Sequence, residues 1–243
     1  TSLTIPALFF SLFSVWNLYL IHQIAKRVSE SQALADYSLI IAASSMSLMY
    51  YARHLIPYDV SMTFGLLAIN FGISTSPKKK ISTLCGGLSF LCFITYNGYW
   101  PLAALAMLLH VFSASTRIAE ITRKAMVDAL GFLIPAVLLV IVASLSGVNL
   151  LHEYRVFATT VSQGSFEEGW SLPFEYFWYA EHWMFILAGA LALYAATVGI
   201  RQKNRLSILF STGMALIYLC LLIPSVFLHA FVVYGRLARQ MMP

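Results

Sequence analysis

Apolar residues run in blocks of roughly twenty along the whole chain, with short polar turns between them. The blocks lie near residues 2–25, 33–52, 57–75, 81–97, 99–115, 127–147, 177–200 and 206–230. About twenty helical residues cover ~30 Å, the thickness of a bilayer's hydrocarbon core. The pattern therefore predicts an all-α, polytopic membrane bundle of about eight transmembrane helices. No Gly/Ser linker, charge block or internal repeat divides it, so residues 1–243 read as a single transmembrane domain. Chain breakers fall between or just inside the blocks. Pro57 opens the third, Asn97 and Gly98 turn between the fourth and fifth, and Pro101 sits in the first turn of the fifth, where proline is tolerated. Pro135 and Pro224 lie inside blocks, where kinks are expected.

Composition agrees with lipid as the solvent. Of the 243 residues, 60% are hydrophobic and 10% charged, against roughly 25% charged in a soluble domain. Cys85, Cys92 and Cys220 all fall in apolar runs without disulfide or metal-ligand spacing, and read as packing residues. The first apolar run has no charged n-region or small-residue cleavage site before it, so no signal peptide is read. Both ends of the chain are expected to be cuts through a longer protein.

The net charge of +5 changes the picture only through its placement. Alternate connections hold Lys26 and Arg27; Lys78, Lys79 and Lys80; Arg117, Arg123 and Lys124; and Arg201, Lys203 and Arg205. Eleven of the fifteen Lys and Arg thus share one side if the eight crossings hold. The positive-inside rule makes that side cytoplasmic and puts both chain ends outside. This is a topology signal, and no nucleic-acid partner is expected; membrane lipids are.

The other side carries Arg53, Arg155, Arg236 and Arg239, six acidic residues, and the one long connection, about 148–176. That loop and the start of the next block are rich in Phe, Tyr and Trp, either an interfacial aromatic belt or the wall of a substrate groove. Its beginning, HEYRVFATTV, has the amphipathic pattern of a helix lying along the membrane surface, and so does TRIAEITRKA on the basic side.

Candidate chemistry is sparse. The sequence has no phosphate-binding Gly-rich loop, HExxH, CxxC or GxSxG, and its six histidines show no ligand spacing. The most informative segment is YYARHLIPYDVSMTF, residues 50–64. It holds Arg53, His54 and Asp59 at the membrane boundary, where charges are costly unless paired, hydrated or used. In the structural alternative Arg53 and His54 snorkel and Asp59 caps the third helix. In the functional one Asp59 is a metal or acceptor ligand and Arg53 an anion contact, with His54 beside them. At TYNGYWP, residues 95–101, a turn competes with a sugar- or lipid-lining role for Tyr96, Asn97 and Tyr99.

Three segments carry a family resemblance. They are the apolar hairpin SLTIPALFFSLFSVWNLYLIHQIAKRVSESQALADYSLIIAAS, the connection YYARHLIPYDVSMTF, and HAFVVYGRLARQMMP at 229–243. Together the chain resembles the multi-spanning, lipid-phosphate-dependent glycosyltransferases of the GT-C fold, such as protein O-mannosyltransferases and lipid A aminoarabinose transferases. The resemblance implies a bacterial inner-membrane protein that moves a sugar from a polyprenyl-phosphate donor to an acceptor at the external face. It implies that Asp59 matches the secondary acidic position, supporting a divalent metal ion or the acceptor, and that Arg236 and Arg239 meet the donor phosphate. The family's principal acidic pair lies in a loop before the first of these spans, and that loop does not occur in this sequence. The rival readings are a non-catalytic scaffold joined to other transmembrane subunits and a secondary transporter. The inverted repeats and broken midplane helices of a transporter are not evident.

Overall fold

A computed structural model describes residues 4–52, 57–73, 79–113, 117–162 and 172–228. Among these the chain is all-helical, without strands. Eleven α-helices follow in order: α1 (Thr4–Ser29), α2 (Gln32–Ser44), α3 (Met46–Ala52), α4 (Tyr58–Gly72), α5 (Lys79–Thr95), α6 (Trp100–Ser113), α7 (Ile118–Leu145), α8 (Leu150–Ser162), α9 (Leu172–Glu181), α10 (Trp183–Arg201) and α11 (Arg205–Leu228). Among the described residues the apolar blocks are helical, and three helices have the length and composition to cross a membrane: Ile5–Ser29, Ile118–Leu145 and Trp183–Arg201. At 1.5 Å per residue, α4 and α6 reach only ~22 Å.

Local chemistry explains the ends. Lys26 and Arg27 lie in the last turn of α1, where the helix dipole favours cations, and Glu30 then takes a left-handed φ of 56°. Ser31 Oγ caps α2 by accepting from Leu34 N–H at 3.3 Å, and Asn204 Oδ1 caps α11 by accepting from Leu206 and Ser207 N–H. A 3₁₀ turn at Asn97–Tyr99 delivers the chain into α6 with Pro101 in its first turn, as the sequence predicts.

The basic turns gather at one end of the bundle. Arg27 Nη1 donates to Asn70 O at the end of α4 (2.9 Å), Ser113 Oγ to Gly72 O (3.3 Å), Lys124 Nζ to His110 O (3.3 Å), and Asn204 Nδ2 to Val28 O (3.1 Å). The α5–α7 crossing is the tightest contact: a Cβ added to Gly86 would overlap the Asp128 carbonyl oxygen, and one on Gly131 would come within 2.5 Å of Thr83 O. Small residues bring membrane helices this close. Pro135 is accommodated inside α7.

Four expectations need correction. The block 33–52 is not one helix but breaks at Ser45, because the Glu181 carboxylate supplies an alternative set of partners to the backbone there. The block 177–200 breaks at His182, whose φ of 48° is left-handed. TRIAEITRKA is no separate surface helix: from Ile118 on it forms the first turns of α7, held by Lys124 bonding to His110 O. Cys220 is exposed, unlike the buried Cys85 and Cys92. HEYRVFATTV lies within α8, an amphipathic helix whose described side chains are largely exposed.

Candidate functional site

Asp59 lies in the first turn of α4, at the end of the bundle away from the basic turns, and is 3% exposed. Its carboxylate accepts a hydrogen bond from Ser14 Oγ of α1 at 2.5 Å. Its backbone carbonyl accepts from Asn17 Nδ2 (3.1 Å) and Thr63 Oγ1 (2.8 Å), and the Thr63 hydroxyl also lies 2.7 Å from Asn17 Oδ1. Asn17 and Thr63 are themselves buried. Polar side chains enclosed between two apolar helices are stable only when their hydrogen bonds are made, and these clamp α4 onto α1. A cleft of about 70 Å³ adjoins the joint, lined by Ser14, Asn17, Asp59, Leu48 and Met49 among others. It has room for one or two waters or a cation, not for a sugar ring.

The aromatic candidates sit on a neighbouring face of the same turn. Tyr58 meets Tyr96 edge-on with ring centroids 4.7 Å apart, and Tyr96 meets Tyr99 at 5.1 Å. Tyr99 is fully buried, Tyr96 and Asn97 half-buried. Ser61 Oγ donates to Cys92 O at 2.6 Å and ties α4 to α5 below them. Asp59 thus faces α1, while Tyr58 faces Tyr96 and Tyr99; one helical turn carries both groups without bringing them into one pocket. Arg53, His54, Arg236 and Arg239 lie outside the described residues.

A divalent cation takes about six oxygen ligands, several of them carboxylates. Beside Asp59 the described residues offer one carboxylate and neutral oxygens already engaged with each other, so they do not fit a resident divalent ion.

Two buried ionisable clusters escaped the sequence reading. Glu181, at the end of α9 and 5% exposed, accepts from Ser45 Oγ (2.8 Å), Met46 N–H (2.8 Å) and Ser47 N–H (2.7 Å), capping α3 from across the molecule. His110 of α6 and Asp128 of α7 pair through Nδ1 at 2.8 Å, both almost wholly enclosed, with Cys85 of α5 next to them. Gly72 packs against His110 and leaves no room for a Cβ without displacing it. The Cys85 thiol points at the carbonyls of Ala68 and Ala106, 3.5 and 3.7 Å away. Sealed among four helices, this cluster reads as a polar pin. Its signal in the sequence was a lone aspartate within an apolar block, 18 residues after a lone histidine.

A larger cavity lies elsewhere. It measures about 630 Å³, is almost entirely apolar, and is walled by α1, α2, α4, α6, α9, α10 and α11. Ile21 of α1 lines both it and the Asp59 cleft.

No family model matches the chain, and neither a curated protein nor a solved structure matches it.

Proposed function

We propose that this chain is the membrane portion of a GT-C-like transferase that moves a sugar from a polyprenyl phosphate to an acceptor. In this reading it crosses a bacterial inner membrane eight times, with the basic turns inside and both ends of the chain outside. The observation that carries it is the Asp59 joint. A carboxylate is built into the non-basic end of the bundle, at a helix start, on the turn whose other face packs Tyr58 against Tyr96. The acceptor hydroxyl attacks the anomeric carbon and gives up its proton to water, the carbon–oxygen bond to phosphate breaks, and the polyprenyl phosphate leaves with the bonding electron pair. Arg236 and Arg239 are assigned to that phosphate. Because Asp59 is enclosed, its role here is positioning: it fixes the α1–α4 joint from which the external loops emerge.

The test is transfer in membranes supplied with a labelled polyprenyl-phosphate sugar. Asp59→Asn is expected to lower the rate about tenfold by loosening the geometry it positions, while the melting temperature of the purified protein stays within a few degrees. Undiminished transfer by that variant rejects the assignment of Asp59. The scaffold reading draws support from the same enclosure of the carboxylate. It predicts co-purification with other transmembrane subunits in gentle detergent, and a lone monodisperse protein counts against it.

A further inference from the structure

The 630 Å³ cavity has two chemically different ends. Away from the basic turns it is closed by rings: Phe177 stacks on Phe185 with centroids 5.3 Å apart, and Phe174 lies against Tyr218 at 5.4 Å. At the other end its lining reaches Val28, Ser29 and Ser207. Asn204 crosses that end by donating to Val28 O, and Lys26, Arg27, Arg201, Lys203 and Arg205 flank it in sequence. The acidic residues there are Glu30, which accepts from Asn204 at 3.4 Å, and Asp36, already held by His22 (3.0 Å) and Gln32 (2.7 Å). Five cations, of which Arg27 is bonded to Asn70 O, thus lie close in sequence to this end, against two engaged carboxylates.

The void exists because α10 presents small side chains to it: Ala188, Gly189, Ala192, Ala195 and Ala196. A Cβ at Gly189 would meet nothing within 4 Å, whereas Gly199, near the turn, is pressed against Ser207. The helix is pinned at its basic end and stands away from the bundle higher up. Leu193, which also lines the cavity, is 67% exposed, so the space communicates with the surrounding lipid. Water has little to hold it, since the hydroxyls at the rim bond internally: Ser29 to Ala25 O (2.7 Å) and Ser207 to Ala195 O (3.4 Å). The volume falls in the ~300–1,000 Å³ range of a single small ligand.

We propose that this cavity holds one acyl chain of an anionic glycerophospholipid, drawn from the leaflet beside the basic turns, with its phosphate on Lys26 and Lys203. Basic residues at the rim of an intramembrane groove are a recognised basis for selecting acidic headgroups. Its basic rim stands at the opposite end of the bundle from Asp59, and the proposal does not depend on the transferase reading.

Native mass spectrometry of the detergent-purified protein, titrated with phosphatidylglycerol or phosphatidylcholine, tests it. The wild type is expected to retain one phosphatidylglycerol, with about tenfold preference over phosphatidylcholine. Gly189→Trp, which puts an indole ring into the void, should reduce retention of either lipid about tenfold at unchanged or higher melting temperature. Lys26→Gln with Lys203→Gln, on exposed turns that do not set the fold, should remove most of the headgroup preference while lipid is still retained. Equal binding of the two lipids by the wild type, or undiminished retention by a folded Gly189→Trp, overturns the proposal. So does displacement of phosphatidylglycerol by a polyprenyl phosphate at equal concentration, which would give the cavity to a different lipid.

Discussion

Helices α4 and α10 make an instructive pair. The sequence of α4 carries Asp59, Ser61, Thr63, Gly65 and Gly72, and ten of its residues are buried. That of α10 is apolar with small residues, and Gly199 is its single buried residue. In water the more apolar helix would be the inner one. Here the order is reversed, because lipid tails solvate leucine as well as a protein core does and cannot solvate a carboxylate or hydroxyl. Polar and small residues decide which helices go inside. The exposed apolar faces of α7 and α10, which would be an aggregation hazard in water, are the natural boundary of a membrane domain.

That contrast can be broken deliberately. The largest effect is expected at the α5–α7 crossing, where Gly86→Leu forces a side chain into the backbone of Asp128. It should cost more than about 3 kcal/mol and abolish the monodisperse peak in detergent size-exclusion chromatography. A smaller loss is expected from Glu181→Ala, which strips three hydrogen bonds from the start of α3. About 2–3 kcal/mol of stability should go, read as a lower melting temperature and faster amide exchange over residues 46–49. Least of all, Leu193→Ala on the exposed face of α10 should shift stability by no more than ~0.5 kcal/mol. A large loss there would mean that α10 is covered by protein, and the inside-out ordering would fail.

The same contrast marks what could be read from the chain. Helix positions were legible because each depends on a local run of apolar residues, and the gathering of Arg27, Lys124 and Lys203 at one end followed from the alternation of basic turns. The first-turn placement of Asp59 followed from Pro57 and the residues after it. Its partners did not: Ser14 and Asn17 lie 45 and 42 positions earlier in an apolar run, and no periodicity connects them. Nor was the break at Ser45 legible. Ser44, Ser45 and Ser47 mark a weak point, but the carboxylate that exploits it stands 136 residues away. The pairing of Tyr58 with Tyr96 likewise required knowing that α4 and α5 lie side by side.

The bond from Glu181 to Ser45 also bears on how the protein is made. A ribosome finishes α3 long before it reaches residue 181, so for that interval the first turn of α3 lacks the acceptor that completes it. The early helices are therefore not a self-sufficient unit, and their final shape waits on the later part of the polypeptide. A nascent chain arrested before α9 would hold the second apolar block in a form the finished molecule does not keep.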